Sequence, residues 1–262
     1  MVNSAIVILP TYRHVITLPF AIESAQNQTI QDIEIAIIGD GVNDDTRDIV
    51  SDFKKKDSRI RFYDEPKCRS RNELVRNQVI SKSNAKIVTY LGDDDLFFPN
   101  HVEIMSNILK KNDFAHPLPI LFFKKDKISK FKTDLKDPKW VKYHLERGQN
   151  TIALTGVSHT LKFYKSLPVG WEIPPEGEWS DHYMWQKMFK MRNVKLETSE
   201  YSTTLKMMAT PREKNSNADI LEEVKYWSDC IKDNKFFKYW QNKVNHTEPK
   251  DVESPIRFEI EI

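Results

Sequence analysis

The chain has 262 residues, 39% hydrophobic and 30% charged, which suits one large α/β domain or a domain with a tail. Its 40 basic and 38 acidic side chains nearly cancel, leaving +2, and this argues against a dedicated nucleic-acid binder. Seven glycines and thirteen prolines exclude a collagen-like or low-complexity chain, and no window approaches the ~18 consecutive apolar residues of a spanning helix.

Ala5–Leu9 (AIVIL) is a short β-branched run ended by Pro10, the pattern of a strand buried on both faces. The spacing of Leu18, Ile22 and Ala25 predicts a helix within 14–28. A second strand follows at 33–38, a helix at 45–55, a short strand at 60–63, a helix at 71–81 and a fourth strand at 86–91. This alternation predicts a parallel sheet with crossover helices, whose ligands sit at the carboxyl ends of the strands. Those ends carry Pro10-Thr11-Tyr12, Gly39-Asp40-Gly41 and Gly92-Asp93-Asp94-Asp95.

Beyond Pro99 the pattern loosens. A helix is expected at 101–111, a strand at 119–123 and a helix at 180–191. Residues 124–147 hold nine Lys/Arg against four Asp/Glu and read as a basic, irregular stretch. Residues 219–244 read as one or two helices rich in Trp, Tyr and Phe, able to pack on the core, on a second copy as a homodimer, or at a membrane surface. Cys68 and Cys230 fit no metal or redox spacing, so reduced thiols are expected. The N-terminal MVNSAIVILPTYR lacks a basic lead and a long apolar run, so the expected location is the cytoplasm, with room for peripheral contact at the inner face of the cell membrane.

IIGDGVNDDT, residues 37–46, looks like the magnesium loop of haloacid-dehalogenase-type phosphatases. The order is wrong for one. Such an enzyme needs a D-x-D-x-T nucleophile after its first strand, and Leu9-Pro10-Thr11-Tyr12 offers no carboxylate. The stronger signal is LGDDDLFFPNHV, residues 91–102. Three carboxylates at one strand end repel and raise each other's pKa, and a hard divalent cation, Mn²⁺ or Mg²⁺, is the usual compensation. The plainer alternative is an acidic cap on the helix that follows.

Five motifs in order then resemble a family 2 glycosyltransferase with the GT-A fold: Pro10-Thr11-Tyr12-Arg13; Gly39 to Thr46, with Gly39 and Val42 replacing an Asp and a Ser; Val75-Arg76-Asn77; Leu91 to Pro99, with Gly92 replacing the first Asp; and Trp179-Ser180-Asp181-His182. The resemblance implies a GT-A domain over 1–210, with a nucleotide-binding half at 1–99 and an acceptor-binding half at 100–210, and a C-terminal helical extension at 211–262. It implies an inverting, metal-dependent transfer of a sugar from a nucleotide-diphosphate donor, foremost a UDP-sugar, to a hydroxyl of a glycan or lipid-linked glycan in surface polysaccharide synthesis. By the same resemblance Pro10, Thr11 and Tyr12 line the nucleotide pocket and Asp40 accepts from the base or ribose. Arg76 offers a fork to the diphosphate or to Asp40, with Arg69 and Arg71 as rivals. Asp95 holds the cation, Asp93 or Asp94 contacts ribose or a metal-bound water, and Asp181 is the general base. His159 and His182 are weaker candidates for contact with metal, diphosphate or acceptor, because a lone histidine is more often structural. Two other readings stay open: a sugar-1-phosphate nucleotidyltransferase, which lacks its expected glycine-rich loop here, and a non-catalytic sugar-nucleotide binder.

Overall fold

A computed structural model describes residues 3–118, 120–124, 127–146, 150–207 and 215–233, together with Lys235, Lys238, Asn242 and a strand at Arg257–Glu261. The first half follows the expected alternation. Strands β1 (Ala5–Thr11), β2 (Ile33–Asp40), β3 (Ile60–Glu65) and β4 (Ile87–Tyr90) alternate with helices α1 (Leu18–Gln26), α2 (Asp44–Lys56) and α3 (Glu73–Lys82). Strand β1 lies between β2 and β4, parallel to both, with Ile8 opposite Ala36 on one side and Tyr90 on the other. Each of the three strands is buried on both faces, which explains their continuous apolar runs.

After β5 (Leu96–Phe97), α4 (His101–Ile108) and β6 (Phe114–His116), the chain returns with β7 (Ile120–Lys124), β8 (Lys127–Phe131), α5 (Pro138–Leu145) and β9 (Ser158–Thr160). It continues through α6 (Leu161–Ser166), α7 (Ser180–Phe189), β10 (Leu196–Thr198), β11 (Thr204–Met207), α8 (Asn217–Lys232) and β12 (Arg257–Glu261). The main sheet has seven strands in the order β10-β6-β9-β4-β1-β2-β3, and β9 alone breaks its parallel sense by running against β4 and β6. A second sheet runs β12-β8-β7-β11-β5.

Two apolar layers cover the main sheet. On one face α1, α2 and α4 contribute Leu18, Ile22, Val50, Val102 and Met105. On the other, α3, α6 and α7 surround Tyr90, Trp171 and Trp185. Truncating either tryptophan to Ala would cost ~3–5 kcal/mol. Helix α8 lays Val224 and Trp227 against Leu96, Phe98, Ile120 and Leu205 of the second sheet, so this part of the aromatic tail packs on the protein.

The basic stretch is more regular than its charge pattern implies. Residues 127–131 form β8, and Asp137 caps α5 by accepting from the Lys139 amide, with Pro138 in the first turn. The helix buries only Trp140 and His144, one turn apart, too few apolar positions to show through its lysines. The aromatic positions Phe236, Phe237, Tyr239 and Trp240 lie outside the described residues. No helix among the described residues is long and apolar enough to cross a membrane.

Candidate active site

The parallel register sets Thr11 beside Gly39, and the Leu91 amide donates to the Ile8 carbonyl, so the three acid-bearing loops leave one edge of the sheet together. The acids of GDGVNDD then separate. Asn43 caps α2 by accepting from the Thr46 amide, and Asp44 and Asp45 stand in the first turn of that helix, where negative charge suits its dipole. Asp40 alone stays buried at the strand end.

The Asp93-Asp94-Asp95 triplet divides in the same way. Asp93 ties the acidic loop to the β1–α1 loop: one oxygen accepts from the Tyr12 amide at 3.2 Å and the other meets His14 Nδ1 at 2.8 Å. Thr17 Oγ1 closes the junction by donating to the Asp93 carbonyl. Asp95 is sealed inside, 1% exposed. Its Oδ1 accepts from the Met207 amide at 2.8 Å, and its Oδ2 accepts from Thr155 Oγ1 and from Lys206 Nζ. Gly92 donates its amide to that same Thr155 hydroxyl, and a Cβ at position 92 would stand 2.9 Å from Asp95 Oδ2. A glycine there leaves room for the Asp95 cage.

Asp94 is half-buried and has no such cage. Burial, then the neighbouring charge of Asp95 and Asp93, push its carboxyl up to about 7 against the pull of Lys206 and His14. His14 is held at about 9, first by its hydrogen bond to Asp93, against burial and with help from the surrounding acids. Ligand atoms of His14, Asp93 and Asp94 all lie within 4.8 Å of one another.

Around Asp40, the Lys67 ammonium sits 2.5 Å from Oδ2 and the Cys68 amide donates to Oδ1 at 3.0 Å. Lys67 also lies 4.7 Å from the centre of the Tyr12 ring, with the Arg13 guanidinium at 4.6 Å. Thr11 and Pro10 are framework at the end of β1. Asn72 supports this loop from the left-handed region, φ 57, with its side-chain amide donating to the Gly39 carbonyl.

Arg76 is buried beneath the site. One of its amino groups donates to the Arg71 carbonyl, and the guanidinium lies 5.0 Å from the Trp171 ring centre. Burial lowers its pKa, with Glu73, Tyr90 and Asp181 opposing. Asp181 stands in the first turn of α7, and its own Oδ1 accepts from the His182 amide. Asp95, Asp94 and Asp181 all raise the pKa of Lys206 against its burial. The fold therefore brings Asp181 into the electrostatic field of the acidic loop.

A cleft of about 500 Å³ is lined by Arg69, Ser70, Arg71, Pro174, Gly177, Glu178, Trp179 and Ser180. Glu73 braces the turn that carries Ser70 and Arg71. Burial works against the ionised form, and hydrogen bonds donated by the Arg71 amide at 2.9 Å and the Ser70 hydroxyl at 2.8 Å help to outweigh it, so its pKa is lowered.

His159 and His182 lie in the core. His159 Nδ1 donates to the Thr160 carbonyl, so Nε2 accepts from the Tyr90 hydroxyl, which also receives the Trp171 indole N–H. His182 Nε2 donates to the His144 carbonyl. Both are structural. Four participants escaped sequence reasoning: His14, Lys67, Thr155 and Lys206. Only His14 carried a signal, because it directly follows the Pro10–Arg13 motif.

Residues 6–166 match the family model described as Glycosyl transferase family 2. A Campylobacter jejuni protein named as a GalNAc(5)-diNAcBac-PP-undecaprenol beta-1,3-glucosyltransferase is 34% identical over 89 residues, covering 34% of this chain and 29% of the relative. An uncharacterised glycosyltransferase of Rickettsia bellii is 35% identical over 111 residues, 41% of this chain and 15% of that protein. Each of these matches spans less than a third of the relative's length. In structure the chain resembles S. aureus TarS 1–349 in complex with UDP-GlcNAc, with a TM-score of 0.63 and 14% identity over 88% of this chain and 67% of that one. It also resembles the mannosyltransferase PcManGT of Pyrobaculum calidifontis in complex with GDP-Man and Mn²⁺, with a TM-score of 0.56 and 13% identity over 94% and 70% of the two chains. With the expected strand-end motifs, the GT-A architecture and a family match over more than half its length, the chain belongs to glycosyl transferase family 2.

Proposed function

We propose that the protein transfers one sugar from a nucleotide-diphosphate donor, foremost a UDP-sugar, to a hydroxyl of a glycan acceptor by single displacement with inversion. The observation that carries this reading is the convergence of the Asp40 and Asp93–Asp94 loops at one edge of the parallel sheet, in a chain that matches family 2 over residues 6–166, with Asp181 at the start of α7 as the proposed base. A base for the acceptor and a site for the leaving diphosphate must lie close together.

In this reading the roles are assigned as follows. Asp40 accepts from the base or ribose once Lys67 turns aside, with the Tyr12 ring beside it. Asp181 takes the acceptor proton as the acceptor oxygen attacks the anomeric carbon. Lys206 offers positive charge to the departing diphosphate. Arg76 is a positioning residue in this scheme, steadying the Arg71 turn and the start of α7 from below.

A divalent cation fits the donor set. His14 Nδ1 and Asp93 Oδ1 stand 2.8 Å apart, a spacing suited to neighbouring ligands on an ion that binds each at ~2.0–2.2 Å. The half-buried Asp94 carboxylate supplies negative charge that its protein neighbours leave undercompensated. His14, Asp93 and Asp94 would hold Mn²⁺ or Mg²⁺, which supplies charge neutralisation for a diphosphate. Asp95, expected from sequence to hold the cation, is better read as the anchor of the loop, since both its oxygens accept from protein donors.

The C. jejuni relative's name supports a lipid-linked glycan as acceptor, and we extend the proposal to surface polysaccharide synthesis at the inner membrane face. Calorimetry with UDP, GDP, CDP and dTDP, with and without Mn²⁺, tests the donor site, and slow hydrolysis of the matching nucleotide sugar reports turnover. Asp181→Asn is expected to keep binding and lose turnover. Undiminished turnover in that variant removes Asp181 as the base. Binding of no nucleotide by the folded protein removes the reading as a whole.

A further inference from the structure

The cleft between the 69–71 turn and the loop before α7 has a chemistry of its own. None of Tyr12, Asp40, Asp93 and Asp94 lines it. Its charged lining is two arginines, Arg69 and Arg71, against one acid, Glu178. Neither guanidinium makes a hydrogen bond or ion pair among the described residues, although both side chains are exposed at its edge. Trp179 is 63% exposed, an unusual state for the largest apolar side chain. Gly177 turns the wall in the left-handed region, φ +82, with nothing within 4 Å of the place its Cβ would take. The volume of about 500 Å³ falls in the ~300–1,000 Å³ range of small-ligand sites.

We propose that this cleft receives the acceptor glycan and selects one bearing an anionic group, with a sugar ring laid on the Trp179 indole and the anion held by Arg69 and Arg71. An indole face offers a flat apolar surface to the C–H face of a pyranose, and unpaired guanidinium forks match carboxylate or phosphoryl oxygens. Trp179 immediately precedes α7, in whose first turn the proposed base Asp181 stands. The donor's negative charge is met elsewhere, by Lys206 and the His14 side of the acidic loop. The word acceptor rests on the sugar-transfer reading. The anion preference rests on the cleft alone.

The test uses three probes on the full chain: methyl glucuronide, methyl glucoside 6-phosphate and neutral methyl glucoside. The Trp179 indole N–H resonance, identified by its loss in Trp179→Phe, reports binding. At least one anionic glycoside is expected to bind about tenfold more tightly than the neutral one, and comparing the two tells carboxylate from phosphoryl. Arg69→Gln/Arg71→Gln should erase that preference, and Trp179→Ala should weaken all binding. UDP–Mn²⁺ binding should stay unchanged in both variants. Equal binding of neutral and anionic glycosides, or binding undisturbed by the arginine variant, overturns the proposal. Loss of UDP–Mn²⁺ binding in the arginine variant also overturns it, because the arginines would then serve the donor. Failure of the wild-type chain to bind any nucleotide defeats the transfer reading by itself, and the glycoside titration still reads the cleft.

Discussion

The Lys67 ammonium lies 2.5 Å from Asp40 Oδ2, on the carboxylate proposed to accept from the donor base. The lysine takes up acceptor capacity of the oxygen that a nucleotide would also use. The lysine side chain is 44% exposed, so the pair contributes at most ~1 kcal/mol. Lys67→Ala is therefore expected to tighten UDP binding by up to about fivefold. Asp40→Ala should abolish it. Calorimetry on both variants checks the assignment, and weaker binding in Lys67→Ala would make the lysine a ligand of the nucleotide.

The acidic triplet offers a paired prediction. Asp95→Asn removes the charge that compensates Lys206 and disturbs the bonds from Met207 and Thr155. Its expected cost is about 2 kcal/mol, less than for a fully buried pair because Lys206 reaches solvent in part. Asp94→Asn takes away a charge the fold already disfavours, so the metal-free protein should be as stable as wild type or more so, while metal-dependent nucleotide binding is lost. Denaturant titration beside calorimetry separates the two. Equal destabilisation by both variants would contradict the division of roles.

Cation preference should follow from a nitrogen ligand. Imidazole favours later first-row metals over Mg²⁺. The wild type is expected to bind Co²⁺ more tightly than Mg²⁺, and His14→Ala should lower Co²⁺ affinity about tenfold while changing Mg²⁺ affinity by less than about threefold. The visible absorption of bound Co²⁺ reports whether nitrogen is in the coordination sphere. An unchanged spectrum in His14→Ala would leave the histidine outside it.

Stability of the metal-free protein should peak near neutral pH. Burial lowers His101 and His144 to about 3 and His116 and His159 to about 4, so each stays neutral in the fold well below the usual value of 6.5. Below that value the unfolded chain takes up protons the folded chain refuses, and each such group costs about 1.4 kcal/mol per pH unit until its folded pKa is reached. Asp94 acts in the opposite sense on the way to about 7, but a single carboxyl is outnumbered. His14 is raised to about 9, so its contribution is whole below 6.5 and is lost as pH climbs through 9. Unfolding at pH 5, 7 and 9 should give the highest midpoint at 7, and a midpoint at pH 5 equal to that at 7 would show the buried histidines ionising without cost.

The sequence announced this site wherever a residue sits at the end of a buried strand. Asp40, Asp93 and Asp94 follow apolar runs that read as buried strands, and Asp181 follows a loop punctuated by Pro174, Pro175 and Gly177. Lys206 stayed hidden because it reaches Asp95 through the antiparallel pairing of β11 with β5, which no local pattern encodes. Asp95 was expected to hold the cation because a sealed carboxylate and an open one look alike in a run of three. Lys67 lies in an irregular loop, where sequence gives no direction to a side chain. The helix α5 was masked by lysines that lie on its exposed face.

The bond from the Met207 amide to Asp95 joins residues 112 positions apart. During synthesis the strands that present Asp40 and Asp93 can pair long before residue 207 leaves the ribosome. The cage around Asp95 cannot close until it does, and closing so long a loop carries an entropic cost that only the finished second sheet repays. A half-made chain would thus expose an acidic loop that is not yet held in shape. Such timing ties the shaping of the acidic loop to the emergence of β11, and it predicts that fragments ending before β11 hold nucleotide poorly even when their first sheet is folded.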